Sequence, residues 1–144
     1  MKLLVLNGPN INMLGIREPD IYGRTTYADL VAYIQEVCKR ENIEVTCLQS
    51  NHEGQLVDWI QQAYDEMDGI VMNPAAYTHT SVAILDALKS VGLPAVEIHI
   101  SNIYEREEFR HHSYPGMACI KTIYGHGIKG YEEAILFLKD HLSK

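Results

Sequence analysis

The sequence has 144 residues, of which 47% are hydrophobic and 22% are charged, and it contains five prolines. This length and composition predict a single globular domain over residues 1–144 and exclude a disordered chain. The formal net charge of −7 argues against nucleic acid as a partner, because binding to nucleic acid depends on neutralising phosphates. No apolar run reaches the roughly 18 residues that a membrane helix needs, so we expect no membrane partner either.

Cysteine usage indicates the cellular compartment. Cys38, Cys47 and Cys119 are odd in number, lie in apolar stretches and have no C-x-x-C spacing. This is typical of reduced core thiols in a cytosolic protein. The first apolar stretch breaks at Asn7-Gly8-Pro9 and is too short for a signal-peptide core. We therefore predict a cytoplasmic protein.

Short apolar runs alternate with helical patterns along the chain. Thr26 and Asp29, three residues apart, supply a start signal for the first helix. Gly92 supplies a stop signal for the third. In chain order, we predict strand 2–6, helix 27–38, strand 43–48, helix 56–67, strand 69–72, helix 82–92, strand 95–100, strand 118–124 and helix 131–142.

Strands that alternate with helices predict right-handed crossovers and a parallel sheet. The predicted fold is α/β: a flavodoxin-like three-layer sandwich whose five-stranded parallel sheet has the order 2-1-3-4-5, with helices on both faces. Ligands of such sheets bind beyond the carboxyl ends of the strands, here at the switch point between strands one and three. The segments expected to form the site are therefore 7–25, 73–80 and 101–113.

The connection after strand one, residues 7–25, has about nineteen residues. Usual βα connections have only about 2 to 6. We expect this segment to be a lid, and it carries polar side chains suited to ligand contact, namely Asn10, Asn12, Arg17, Tyr22 and Arg24.

Four of the five arginines lie in two of the predicted loops, at Arg17, Arg24, Arg106 and Arg110. The rigid guanidinium fork suits carboxylate or phosphate recognition. This clustering favours local binding of a small anion, and solvated arginines without a ligand are the alternative.

Two strand ends carry further candidates. Asn73-Pro74 ends strand three and leads through His79 into the third helix, whose N-terminal N–H groups favour an anion. Along strand four, alternation places Glu97, His99 and Ser101 on one side. We expect the Glu97 carboxylate to hold the His99 imidazole in one tautomer.

The sequence argues against several cofactor classes. The G-x-G-x-x-G run at 125–130 resembles a dinucleotide fingerprint, but no further strand and no acidic residue for the ribose follow at the required distance. We interpret these glycines as a tight turn and a close-packing position. The turn after strand one lacks a phosphate cradle for a flavin. The seven histidines show no i, i+4 pair typical of a metal site. We expect no cofactor and no metal.

Five blocks of sequence, in order, resemble the type II 3-dehydroquinate dehydratases of the shikimate pathway. The resemblance covers essentially the whole chain and is weakest over 114–127. The blocks are Asn7-Gly8-Pro9-Asn10 with Leu14-Gly15, Arg17-Glu18-Pro19 and Tyr22-Gly23; Gln49 to Gly54; Asn73-Pro74 with Tyr77 to Ser81; Glu97 to Asn102; and Arg106 to Arg110.

The resemblance implies a hydro-lyase that eliminates water from 3-dehydroquinate through an enolate, giving 3-dehydroshikimate without a cofactor. It implies that Tyr22 removes the proton beside the ketone, that Arg17 activates Tyr22, and that His99 protonates the departing hydroxyl. Asn10 is implied to stabilise the enolate and Glu97 to orient His99.

The resemblance also implies substrate contacts and an assembly. The assembly is a homododecamer of four trimers. Substrate binding is implied for Asn73, His79, Ile100, Ser101 and Arg110, with Asp86 reaching in from an adjoining subunit and Arg106 supporting the closed lid.

The implied chemistry is physically reasonable. An unperturbed tyrosine has a pKa of about 10 and is a poor base at neutral pH. A cation within about 4 to 6 Å lowers such a pKa by about 1 to 3 units. From the residues alone two alternatives stay open: a non-catalytic flavodoxin-like module that binds a small anion, and another lyase or a hydrolase on the same scaffold.

Overall fold

The computed structural model describes residues 1–16 and 24–144. In this part of the chain, strands and α-helices alternate except between β4 and β5, which are connected by 3₁₀ segments. The strands are β1 (Lys2–Asn7), β2 (Glu44–Gln49), β3 (Gly69–Asn73), β4 (Ala95–His99) and β5 (Lys121–Tyr124). The helices are α1 (Tyr27–Arg40), α2 (Glu53–Gln62), α3 (Val82–Val91) and α4 (Lys129–Leu142).

The five strands form one parallel sheet with the order β2-β1-β3-β4-β5. The predicted flavodoxin-like topology is confirmed. Asn7 at the end of β1 is paired with Asn73 at the end of β3. Glu97 of β4 is paired with Met72 on one side and Thr122 on the other. The carboxyl ends of β1, β3 and β4 therefore lie side by side.

The sheet separates two apolar cores, because alternate residues of each strand face opposite sides. Leu3 and Val5 pack with α1 and α4, whereas Leu4 and Leu6 pack with α2 and α3. Both sets are buried. Burial on both faces explains why the central strands are continuous apolar runs rather than alternating ones.

Two helix boundaries have the predicted local chemistry. Thr26 and Asp29 form a reciprocal capping box at the start of α1, each side chain accepting a hydrogen bond from the other residue's N–H at 3.1 Å. Gly92 adopts a left-handed φ of 66° after α3 and donates its N–H to the Leu88 carbonyl.

The glycine run at 125–130 serves backbone geometry. Gly125 and Gly127 have positive φ values of 81° and 62°. A Cβ on Gly130 would lie 2.3 Å from Ile98 Cδ1, so glycine allows α4 to begin directly against the sheet. The predicted interpretation of this motif, a turn followed by close packing, agrees with the structure.

The predicted strand 118–124 is wrong at its start. Residues Pro115–Ala118 form a 3₁₀ turn and β5 begins only at Lys121. Ala118 and Cys119 are apolar because they pack against the core beside α3, which a sequence pattern does not distinguish from a strand.

Helix α2 also differs from its prediction over 56–67. It begins at Glu53, and after Gln62 the backbone tightens into the 3₁₀ segment Ala63–Asp65. Among the described residues, no helix is both long and apolar enough to cross a membrane.

Candidate active site

A cavity of about 170 Å³ opens at the carboxyl ends of β1, β3 and β4. This is the predicted switch point of the sheet. Eight residues predicted from the sequence line it: Asn10, Asn73, His79, His99, Ile100, Ser101, Arg106 and Arg110. Within the described ranges, no group of three or more His, Cys, Asp or Glu side chains is arranged to hold a metal ion.

A buried acid–imidazole pair lies at the end of β4. Glu97 has no exposed surface and His99 is 4% exposed. The His99 Nε2–H donates to Glu97 Oε1 at 2.6 Å, which is the contact that strand alternation predicts. The Glu97 contact keeps a proton on Nε2, so Nδ1 is the ring nitrogen that can exchange a proton with a ligand.

Asn73 is held from behind the cavity by two residues that sequence reasoning missed. Its Nδ2–H donates to the Tyr131 hydroxyl at 2.8 Å, and that hydroxyl donates to Asn7 Oδ1 at 2.6 Å. Tyr131 is completely buried, and burial raises the pKa of its phenol. The hydroxyl therefore stays protonated and links α4 to the ends of β1 and β3.

The turn after β3 forms one wall of the cavity. The Ala75 N–H donates to Asn73 Oδ1 at 3.1 Å, and Ala75 adopts a left-handed φ of 54°. The 3₁₀ segment Ala75–His79 then precedes α3. The prediction that the N-terminus of α3 faces the ligand differs from the structure in one respect: the lining residues come from this segment, and Ser81 caps the Ile84 N–H.

His79 lines the cavity, and one of its ring nitrogens is hydrogen-bonded within the protein. Its Nδ1–H donates to the His112 carbonyl at 2.8 Å. Burial lowers the pKa of His79, and nearby His99 and Arg110 lower it further. The neutral imidazole is thereby favoured, and its Nε2 can accept a hydrogen bond from a ligand hydroxyl.

Arg106 and Arg110 bring positive charge to the cavity of an acidic protein. The Arg110 Nε–H donates to Glu107 Oε2 at 2.6 Å, and the guanidinium lies 5.0 Å from the centre of the Phe109 ring. Arg110 lowers the pKa of Glu107. The ion pair and the ring hold the guanidinium in place for an anion.

Asn10 enters the cavity on a left-handed turn, with a φ of 71°. Its N–H donates to Asn51 Oδ1 at 3.0 Å. Gln49 Nε2 donates to the Gly8 carbonyl at 3.1 Å and to Asn51 Oδ1 at 3.2 Å. Gln49 at the end of β2 and Asn51 just after it therefore fix the loop that follows β1.

Comparison with known proteins identifies the family. The family model described as "Dehydroquinase class II" matches residues 1–139. The chain belongs to the class II dehydroquinase family.

Relatives and solved structures agree with this assignment. The chain is 54% identical to a 3-dehydroquinate dehydratase from Clostridium acetobutylicum, over 100% of both chains. It is 55% identical to a catabolic 3-dehydroquinase from Talaromyces marneffei, over 92% of this chain and 76% of that protein. A type II dehydroquinase structure from Butyrivibrio crossotus superposes with a TM-score of 0.95 at 57% identity, covering 96% of this chain and 97% of that one.

Four residues expected in a class II dehydroquinase site do not line the described cavity, and one of them, Glu97, is buried beside His99. Arg17 and Tyr22 lie outside the described residues. Asp86 is exposed on α3 and does not line the cavity of its own chain.

Ser113 ends the segment 101–113 that was expected to form the site, but no sequence pattern assigned it a role. This half-buried residue donates its hydroxyl to Glu97 Oε2 at 2.5 Å. No periodic pattern connects Ser113 to Glu97, because Ser113 lies in irregular chain between two 3₁₀ segments.

Proposed function

We propose that the cavity at the ends of β1, β3 and β4 is where this chain eliminates water from 3-dehydroquinate, giving 3-dehydroshikimate through an enolate. Family membership makes the chain a hydro-lyase of the shikimate pathway. The observation that carries the assignment to this cavity is the buried pair of Glu97 and His99, which opens onto a space lined by Arg106 and Arg110. No metal or organic cofactor takes part in the proposed reaction.

His99 is the acid. In the imidazolium form its Nδ1–H gives a proton to the departing hydroxyl as the carbon–oxygen bond breaks, and water leaves. The Glu97 carboxylate, 2.6 Å from Nε2, keeps the ring oriented for this transfer.

Tyr22 is the base and Arg17 its activator. The phenolate takes the proton from the carbon beside the ketone, and the electron pair of that bond becomes the enolate. Support comes from the described residues around the 17–23 segment: a Cβ on Gly15 would lie 3.0 Å from the Arg24 carbonyl oxygen. Gly15 and Arg24 therefore lie next to each other, a few residues from cavity-lining Asn10, which we assign to stabilising the enolate.

The other residues that line the cavity hold the substrate. Arg110 binds its carboxylate, which accounts for a localised cation in a chain of net charge −7. Arg106 supports closure over the ligand. The remaining substrate-binding assignments are Asn73, His79, Ile100 and Ser101, with Asp86 contributed by an adjoining subunit.

The cellular location and the assembly are also proposals. We infer that the protein acts in the cytoplasm as a dodecamer of four trimers. The exposed position of Asp86, away from the cavity of its own chain, supports a site completed by a neighbour.

Replacing the base tests the mechanism. Tyr22→Phe keeps the aromatic ring and removes the ionisable oxygen, so kcat should fall by about 10²- to 10⁴-fold, the usual contribution of general-base catalysis. Arg17→Lys keeps the charge but loses the planar fork and should also lose most activity. Turnover of 3-dehydroquinate is followed by absorbance, with EDTA present and no nucleotide added.

Tyr64→Phe is the matched control, because Tyr64 is 62% exposed and does not line the cavity. Circular dichroism checks that each variant folds. A folded Tyr22→Phe protein that keeps more than about a tenth of wild-type kcat, above the range for a lost general base, shows that another residue removes the proton. A wild-type chain without turnover favours the small-anion binding module, and turnover of a different compound in a substrate panel favours another lyase.

A further inference from the structure

We propose that Ser113 is a positioning residue, which holds the Glu97 carboxylate in the orientation that bonds His99. The inference rests on the proposed role of His99 as the acid. The backbone partner of Ser113, Gly116, lies in the stretch 114–127, where the family resemblance is weakest.

The Glu97 carboxylate has a different donor on each oxygen. His99 Nε2–H donates to Oε1 at 2.6 Å, and the Ser113 hydroxyl donates to Oε2 at 2.5 Å. Glu97 has no exposed surface. A buried carboxylate needs hydrogen bonds on both oxygens to offset the loss of water. Ser113 therefore provides the hydrogen bond to Oε2 that water would provide at an exposed carboxylate.

The direction of the Ser113 hydroxyl is set by its own partner. The Gly116 N–H donates to Ser113 Oγ at 2.9 Å. Because Oγ accepts that bond, its proton is directed at Glu97 rather than at a backbone carbonyl. The turn at Pro115–Ala118, which replaces the predicted start of strand five, provides this N–H.

Close packing at Gly116 keeps the arrangement rigid. A Cβ on Gly116 would lie 2.6 Å from Glu97 Oε2 and 2.8 Å from Ser113 Oγ. The chain therefore lies directly against the carboxylate. Nearby Cys119 does not compete for Glu97: its thiol donates to the Pro115 carbonyl at 3.4 Å, and burial raises its pKa to about 12.

Ser113 does not line the cavity, so it acts on the reaction only through Glu97. This separates its effect from substrate binding. Loss of the hydroxyl leaves Oε2 without this donor and lets the carboxylate rotate away from Nε2. The expected defect is in turnover, with substrate affinity preserved.

Ser113→Ala should lower kcat by about 10- to 100-fold, the factor that corresponds to a hydrogen bond to a charged group, and change KM by less than about twofold. Ser113→Thr keeps the hydroxyl and should restore most of the turnover. Ser113→Cys keeps the size with a weaker donor and should fall between alanine and wild type. Ser143→Ala is the matched control, because it removes a hydroxyl that bonds a backbone carbonyl at 2.7 Å on an exposed turn far from the cavity.

Nitrogen-15 solid-state NMR of histidine-labelled protein measures the protonation of the His99 ring nitrogens. This property would not change if Ser113 had a purely structural role. The His99 signal, assigned by its loss in His99→Gln, should show a proton held on Nε2 in the wild type. That signature should weaken in Ser113→Ala and return in Ser113→Thr.

Three results would overturn the inference: a Ser113→Ala kcat equal to wild type, a fall in kcat with an unchanged His99 signature, or a Ser113→Cys protein as active as wild type. The third applies even if Ser113→Ala fails to fold. Failure of the underlying function is seen separately. If His99→Gln retains turnover, His99 is not the acid. If His99→Gln is inactive while Ser113→Ala is as active as wild type, only the proposed role of Ser113 is wrong.

Discussion

At His79 the cavity carries a titratable group that the folded protein prefers to keep neutral. Burial is the largest cause of its lowered pKa, with His99 and Arg110 adding to it. The folded pKa lies below that of the unfolded chain, so the unfolded chain takes up a proton first as the pH falls. The stability linked to neutral His79 is therefore complete above the ordinary value of 6.5 and is lost as the pH falls below it.

We expect His79→Gln to reduce the loss of stability between about pH 7 and pH 5. The measurement is Tm against pH for the variant and the wild type. His52→Gln serves as control, because His52 is exposed. Parallel Tm curves for wild type and His79→Gln would contradict the assignment.

Ala75 is a second residue whose effect on stability can be measured, because its backbone conformation is unfavourable. A non-glycine residue with a left-handed φ costs about 1 to 2 kcal/mol, and glycine loses about 0.4 to 1 kcal/mol through the entropy of the unfolded chain. Ala75→Gly should therefore raise the free energy of unfolding by roughly 0.5 to 1 kcal/mol, as measured by urea denaturation.

Ala76→Gly is the internal control for Ala75→Gly. Ala76 follows in the same 3₁₀ segment and is not among the described residues with positive φ. The same change there should destabilise the protein by about 0.5 to 1 kcal/mol. Two glycine variants that shift stability in the same direction would show that the conformation of Ala75 stores no strain.

How much of the site is predictable depends on how each contact is made. Glu97 and His99 are two positions apart on one strand, so alternation alone places them on one face. Ser113 and Tyr131 reach the site through folding contacts that span sixteen residues to Glu97 and fifty-eight to Asn73. No periodic pattern in the sequence encodes such contacts. The family resemblance points to residues expected to contact the substrate, and not to the residues that hold them in place.

At the scale of elements, boundaries set by local chemistry were predicted well, whereas boundaries predicted from apolar runs were less accurate. The start of α1 follows from a capping box that is local in sequence. Ala118 and Cys119 are apolar because they pack against the core beside α3, and periodicity cannot distinguish such residues from a strand. The first turn of α2, at 53–55, carries no apolar residue that periodicity could detect.

The capping box should matter for α1. Thr26→Ala removes the acceptor for the Asp29 N–H and should lower the free energy of unfolding by about 0.5 to 2 kcal/mol. Thr25→Ala, one residue earlier and outside the box, should have a much smaller effect. Chemical denaturation of both variants provides the comparison, and equal losses would show that the box contributes nothing specific.

At the scale of the whole molecule, the proposed dodecamer has a defined mass. Light scattering should report about twelve times the 16.3 kDa of one chain. Asp86→Asn should lower turnover without changing that mass, whereas Asp58→Asn, an exposed carboxylate on α2, should leave turnover unchanged. A fully active species of monomer mass would refute both the assembly and the shared site.

The hydrogen bond from Asn73 to Tyr131 has a genetic consequence. Every described residue that lines the cavity comes from positions 9–110, yet the amide at 73 is oriented by a phenol in the last helix. An allele that stops translation after Gly127 would encode all of those lining residues and still leave Asn7 and Asn73 without that phenol. A screen for inactive alleles should therefore recover changes in α4, at described positions that do not line the cavity.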